Sequence, residues 1–440
     1  VYLMRHLANF LVLWTGALFF FMLARRILRS WKMGLLASVM LVASPRIFAH
    51  GFYNSKDIPF LSMFVVGVYT LVRYLDRRTV VRAVVHGAVC AVLVDTRIVG
   101  IMLPALTVAF VAAGLLRGGD SGRRARTAVR RTAAGLSAFI ATWAGVTVLC
   151  WPTLWRAPLA NFVRVFEGMR NFPWEATVLY AGSEVWSTRL PWHYTLVWIG
   201  ISTPVAYLVL FAAGLAAAVA ILGRRTPASG GGSIISRRDL VLILAWLVLP
   251  LGYSIAAKAV LYDEWRHSFF VYPALLLVAL VGLRFVWRAL ERVLSGGLLR
   301  AARTVIALAI GLNMAATAAF MIGHHPFQNV YFNSLVGGPS GAHGKFEMDY
   351  WGLAYRQGLE YIVRHDASET IPVHAATAAG RYNADMLRPA DRKRILFVGE
   401  AGKARYYITN FRWDRRTFPP EAELYSVRVQ GAPIMAVYRP

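Results

Sequence analysis

A mainly α, polytopic membrane protein of about ten transmembrane helices, with a small C-terminal α+β domain outside the membrane, is what this sequence predicts. Three observations lead there. Hydrophobic residues fill 57% of the 440 positions and charged ones 16%, against about 45–50% and 25% in ordinary soluble domains. The apolar residues fall in long runs separated by short basic stretches. The formal net charge of +26 is spread over those stretches rather than gathered on one soluble face, as a nucleic-acid binder requires, so no nucleic-acid partner is expected.

A spanning helix needs about 20 apolar residues to cross about 30 Å of hydrocarbon. Ten runs qualify, at 7–24, 33–48, 58–75, 81–94, 98–116, 132–150, 195–222, 240–257, 268–288 and 302–322. The fourth is short, and DTRIVG separates it from the fifth. Alternate connections concentrate Lys and Arg, as in Arg25, Arg26, Arg29 and Lys32, with few acids among them; the positive-inside bias puts these in the cytoplasm. The other set then faces outward: SPRIFAHGFYNSKD, DTR, the Trp-rich stretch 151–194, KAVLYDEWRH and the tail. This divides the chain into a transmembrane domain at 1–322, with an outer loop at 151–194, and an extracytoplasmic domain at 323–440. In that tail a helix is expected near 350–365, followed by strands at IPVHAA, RILFVG, ARYYITNF, ELYSVRV and APIMAVYR. The last two, separated by QG, read as a hairpin. TPASGGGS at 226–233 reads as a flexible cytoplasmic linker.

Several chemistries find no support. The sequence has no GxxxxGK[ST] loop, no GxGxxG after a strand and no HExxH. Cys90 and Cys150 both lie in apolar runs and offer neither a disulfide framework nor a thiolate metal site. His324–His325 has no third ligand nearby, so no metal is assigned. YFNSL and DYWGLAYRQGLEY read as the packing face of the outer domain. Glu167, Glu175 and Glu184 read as solvated loop residues, one of which could face an acceptor.

The outward connections are different, because each mixes cations with carboxylates at the membrane boundary. They hold Arg46, His50, Lys56 and Asp57; Asp95 and Arg97; and Lys258, Asp263, Glu264, Arg266 and His267. Ionisable groups at such depth are functional by default. If the helices bring the three connections together, they form a pocket with arginines for a phosphate and carboxylates for proton transfer. Asp95 and Arg97 could equally form an internal salt bridge closing a broken helix.

SPRIFAHGFYNSKDIPF, DEWRHSFFVYPALLL, FQNVYFNSL and MDYWGLAYRQGLEY together resemble the bacterial relatives of the dolichyl-phosphate-mannose–protein mannosyltransferases, glycosyltransferase family 39 of the GT-C superfamily. The resemblance runs over nearly the whole chain from residue 5. It implies a GT-C-like transmembrane domain in the bacterial inner membrane. It also implies a polyprenyl-phosphate sugar donor, and a protein, lipid or glycan acceptor on the outer face among the membrane lipids. Such a transfer needs a carboxylate as general base and cations for the departing phosphate. The implied catalytic residues are Asp57 and Glu264; the implied phosphate contacts are Arg46, His50, Lys56, Arg97, Arg266 and His267, with Asp95 and Asp263 in support. No cofactor is implied, and dependence on a divalent metal stays open. The alternative activities are a transporter or flippase of a lipid-linked glycan, and a non-catalytic membrane scaffold. The family places its catalytic carboxylate in a first outer loop, whereas here no acid precedes Asp57. The expectation is that this chain lacks that loop and is inactive alone; the alternative is that Asp57 or Glu264 serves as the base in an unusual member of the group.

Overall fold

The computed structural model describes residues 2–116, 123–170, 172, 174–223, 234–413 and 418–439. The TPASGGGS linker lies outside the described residues. Apolar runs become helices throughout: α1 (Tyr2–Leu28), α2 (Trp31–Val42), α3 (Pro45–Tyr53), α4 (Asp57–Asp76), α5 (Val80–Thr96), α6 (Met102–Leu116), α7 (Arg123–Cys150), α8 (Pro158–Arg170), α9 (Tyr194–Ser202), α10 (Val205–Gly223), α11 (Arg237–Ala256), α12 (Tyr272–Val293) and α13 (Gly296–Gly323). Among the described residues eight helical stretches are long and apolar enough to cross a membrane. A ninth span results if α2 and α3, bent by 67°, count as one. The expected span at 81–94 is helical as α5, with 17 residues.

Two expected single spans are broken, both by proline. The residue before proline is pushed from the helical region to the extended one, and Pro itself cannot donate to the preceding turn. Ser44, before Pro45, has ψ 110°, which ends the 33–48 run and starts α3 in a new direction. Thr203, before Pro204, has ψ 138° and divides the 195–222 run into α9 and α10. SPRIFAHGFY, expected as a loop, is therefore mostly the helix α3.

Helix α12 is the central post. Its sequence YPALLLVALVGL is apolar on every side, as a helix buried all round must be, and Tyr272 to Leu283 are buried without interruption. Against α10 the two backbones touch. A Cβ on Gly282 would sit 2.1 Å from the Leu210 carbonyl oxygen, and one on Gly214 would sit 2.0 Å from that of Val278. At the periphery, α13 instead exposes Leu298, Val305, Leu308, Leu312 and Ile322. An apolar stripe of that length cannot face water. The chain is an integral membrane protein.

Beyond α13 come α14 (Gly338–Ala342), α15 (Tyr355–His365) and a five-stranded sheet. A separate hairpin in the stretch 151–194 pairs β1 (Thr177–Tyr180) with β2 (Ser183–Trp186). The sheet contains β3 (Ile371–Ala375), β4 (Ile395–Phe397), β5 (Tyr406–Thr409), β6 (Glu423–Val429) and β7 (Ala432–Tyr438), in the order β4-β3-β5-β7-β6. β3 is parallel to β4 and β5, while β7 runs antiparallel to β5 and β6. The β6–β7 turn is Gln430–Gly431, with φ of 46° and 82°, the two positive values that match a tight hairpin to strand twist.

Candidate active site

Four segments deliver charged groups to one edge of the helical domain. Helix α3 carries Arg46 and His50 one turn apart, followed by Asn54 at its end, so the three form a stripe at i, i+4, i+8. Asp57 is the first residue of α4. Arg97 stands in the extended break after α5, with φ −154° and ψ 130°. Asp263 and Glu264 lie between α11 and the turn Arg266–Val271 that leads into α12.

Asp263 and Glu264 both adopt left-handed backbone, with φ of 56° and 59°. Such a conformation costs of order 1–3 kcal/mol per residue and persists only where surroundings over-determine it. Here ion pairs supply the restraint, sending the two neighbouring carboxylates in different directions. The groups sort into two tiers.

The inner tier is sealed. Glu264 is fully buried and ion-paired to Arg46, whose guanidinium lies 4.6 Å from the centre of the Phe332 ring. The Tyr350 hydroxyl donates to Glu264 Oε1 at 2.7 Å, and His50 Nε2 lies 3.2 Å from the same oxygen. Burial pushes the Glu264 carboxyl up, but Arg46 and the bonds from His50 and Tyr350 outweigh it and hold the group below the usual range. His50 Nδ1 meets Asn54 Nδ2 at 2.9 Å, which joins this tier to the next.

The outer tier centres on Asp57. Its Oδ1 is paired with Arg97. Its Oδ2 accepts from Arg266 Nη1 and from Asn54 Nδ2, each at 2.9 Å. Asn54 Oδ1 in turn accepts the Asp57 amide at 2.9 Å, capping α4. Arg266 Nη2 reaches Asp263 Oδ2 at 3.0 Å, and Arg412 of the C-terminal region pairs with the other Asp263 oxygen. Lys56, Arg97, Arg266 and His267 line a cavity of about 200 Å³, with Tyr262 and Phe270 among its apolar walls. Lys56 stands exposed, without a carboxylate partner among the described residues. His267 Nδ1 is buried and has no hydrogen-bond partner among them.

The three connections thus meet, and nine of the eleven residues singled out from the sequence reach the cluster. Lys56, Arg97, Arg266 and His267 face its cavity. Asp57 holds Arg97 and Arg266 from behind, and Asp263 also holds Arg266. Arg46, His50 and Glu264 are interior, which makes Arg46 and His50 partners of a carboxylate rather than open phosphate contacts in this state. Asp95 stays apart. Its two oxygens are buried without a partner among the described residues, and Arg97 pairs with Asp57 instead of closing a local bridge to it. Lys258, from the same connection as Asp263, lines a different cavity near Arg189 and Trp192.

Sequence reasoning missed Asn54, Glu347, Tyr350 and Arg412. The four-residue spacing from His50 could have pointed to Asn54, had α3 been expected as a helix. DYWGLAYRQGLEY was assigned to packing, yet its Tyr350 is a ligand of Glu264, and its Trp351 ring lies 5.8 Å from the Arg266 guanidinium. Arg412 stands 3.4 Å from Glu347, so the C-terminal region brings its own carboxylate–cation pair to the cluster.

No family model and no curated protein matches the chain. Among solved structures it is similar to ArnT from Cupriavidus metallidurans in the apo state, with 14% identity and a TM-score of 0.45, over 98% of this chain and 83% of that one. It is also similar to the archaeal oligosaccharyltransferase AglB from Archaeoglobus fulgidus, solved with an inhibitory peptide and a dolichol-phosphate. There the identity is 12% and the TM-score 0.38, over 93% of this chain and 57% of that one.

Proposed function

We propose that the protein is a GT-C-type membrane glycosyltransferase that moves a sugar from a polyprenyl-phosphate donor to an acceptor on the outer face. One observation carries the reading: a cavity faced by Lys56, Arg97, Arg266 and His267, two of which, Arg97 and Arg266, are clasped from behind by the Asp57 carboxylate. Arginine donates in pairs to phosphate oxygens and lysine adds a point charge, so the wall suits a lipid-linked phosphate whose chain stays in the bilayer.

The reaction then divides among named groups. The acceptor hydroxyl oxygen attacks the anomeric carbon. The bond from that carbon to the phosphate oxygen breaks, and its electron pair leaves on the phosphate, stabilised by Arg97, Arg266 and Lys56. A phosphate leaves as a stable anion, so no general acid is needed. The hydroxyl proton goes to Asp57. While Arg97 and Arg266 hold both its oxygens, Asp57 cannot accept a proton; a donor phosphate that draws Arg97 to itself frees Oδ1. Donor binding and activation of the base are then one event. Glu264, enclosed by Arg46, His50 and Tyr350, positions this assembly from behind.

The test is sugar transfer in nanodiscs from defined polyprenyl-phosphate sugars. Asp57→Asn should retain donor binding and lower turnover by about 10²–10⁴, the usual contribution of a general base. Transfer undiminished in Asp57→Asn would remove the base from Asp57. Absence of transfer with donor bound, alongside donor movement between leaflets, would favour a flippase. Orientation is tested at the exposed Ser340: a cysteine there should react with an impermeant reagent in intact cells, and protection until lysis would reverse the topology.

A further inference from the structure

A second cavity, of about 310 Å³, lies on the other side of the Asp263–Arg412 pair, between the outer-loop hairpin and the outer domain. The hairpin is fastened in place. The Gly182 amide donates to the Lys345 carbonyl at 2.9 Å, and Trp413 Nε1 donates to the Thr177 carbonyl at 2.8 Å. Aromatic rings form much of the wall, among them Phe346, Tyr350, Phe411 and Trp413. Glu347 is set into it. Its side chain is 5% exposed, and its Oε2 has no hydrogen-bond partner among the described residues. Among the described residues its one ion-pair partner is Arg412, at 3.4 Å. A buried polar atom without a partner costs of order 1–3 kcal/mol, which packing alone does not explain. The fold tolerates this carboxyl where a ligand would satisfy it.

We propose that this cavity is a saccharide subsite, and that the acceptor it holds is a glycan rather than a peptide. The inference rests on the transferase reading above for the word acceptor, though not for the binding itself. Sugars present apolar C–H faces and vicinal hydroxyls, the pattern that aromatic walls with a few convergent polar groups recognise. Burial pushes the Glu347 carboxyl up to about 8, against the opposing pull of Arg412, so near neutral pH it can both donate to and accept from hydroxyls. The volume is at the low end of small-ligand pockets, enough for one or two sugar rings. An extended peptide would need a longer groove. Arg412 lines this cavity and also holds Asp263, whose other oxygen holds Arg266 of the cation-lined cavity; one chain of ion pairs therefore backs both sites.

The experiment uses the full chain in nanodiscs, titrated with lactose, cellobiose, mannobiose and diacetylchitobiose while Trp fluorescence is followed. A Ser/Thr-rich peptide is the comparison. At least one disaccharide should give a saturable response, weakened tenfold or more by Glu347→Leu and by the rim substitution Phe411→Ala. Binding of a polyprenyl-phosphate donor should be unchanged in both variants, showing that they remain folded. Response to the peptide and to no sugar overturns the proposal, as does saturable sugar binding indifferent to both substitutions. If donor fails to bind the wild type while a disaccharide binds, the transferase reading fails and the saccharide site stands.

Discussion

Helix α4 begins and ends with an aspartate, and each aspartate holds two arginines from other elements. At its start Asp57 takes Arg97 and Arg266; at its end Asp76 takes Arg26 and Arg238. The residue types and the pairing are the same, but the surroundings are not. Asp57 is 1% exposed and sits at the helix N-terminus, where the dipole favours a negative charge. Asp76 is 21% exposed and sits at the C-terminus, where the dipole opposes it. Around Asp76 lies a broad depression of about 850 Å³, open to Arg25, Arg29 and Arg73, where water screens every charge. Fixed charge with little solvent is found only at the Asp57 end. The proposed transfer would use that end; the other end is simply basic, as anionic lipid headgroups favour.

The comparison breaks most visibly on stability. Asp57→Ala strands the nearly buried Arg97 and leaves Arg266 with Asp263 alone, and loss of one partner from a buried pair costs about 3–5 kcal/mol. Thermal unfolding in detergent should show a correspondingly large drop, and a drop no greater than that of Asp76→Ala would erase the distinction. Next in size is a binding effect with no stability effect. Lys56→Ala removes an exposed, unpaired cation. It should weaken the lipid-phosphate donor by about 1.5–3 kcal/mol, the worth of a charged hydrogen bond, while unfolding moves within about 0.5 kcal/mol. Arg26→Ala, at the opposite end of α4, should leave donor affinity alone.

Glu347 sharpens the contrast with a carboxyl that is buried but underpaired. It ionises at about 8 in the folded chain and near 4.3 when unfolded. Between those values the folded state holds one more proton than the unfolded, so its contribution to stability falls as pH rises through the window and levels off above it. Glu347→Gln should therefore gain on the wild type from about pH 5 to about pH 8, by about 1.4 kcal/mol per pH unit in the middle of that window. Melting curves that shift in parallel across that range would contradict the raised pKa. Smallest of all, Asp76→Ala should cost no more than about 1 kcal/mol, as exposed pairs do, and less in high salt.

The sequence displayed the membrane class and the outer strands because both depend on local pattern. Apolar runs make spans regardless of neighbours, and Gln430–Gly431 between two alternating runs leaves little but a hairpin. Arg97 and Asp57 were visible as boundary charges; that they choose each other over Asp95 is tertiary, decided by where the break after α5 points. The sealed tier was least legible. Nothing local marks Glu264 for Arg46, since the pair is 218 residues apart and depends on a left-handed backbone at a non-glycine residue. Tyr350 and Arg412 were hidden for the opposite reason, because an aromatic-rich segment and an isolated arginine both have ordinary uses in a packed domain.

The contact between Gly214 and Gly282 also has a mechanical meaning. Helices whose backbones touch have no side-chain cushion to compress, so α10 and α12 form a stiff mast. Arg266 and His267 are mounted at its head. α3 hangs from the Ser44–Pro45 bend and Arg97 from the break after α5, both of which are joints. Any widening of the chamber must therefore come from the α3 and Arg97 side, with Arg266 as the fixed jaw.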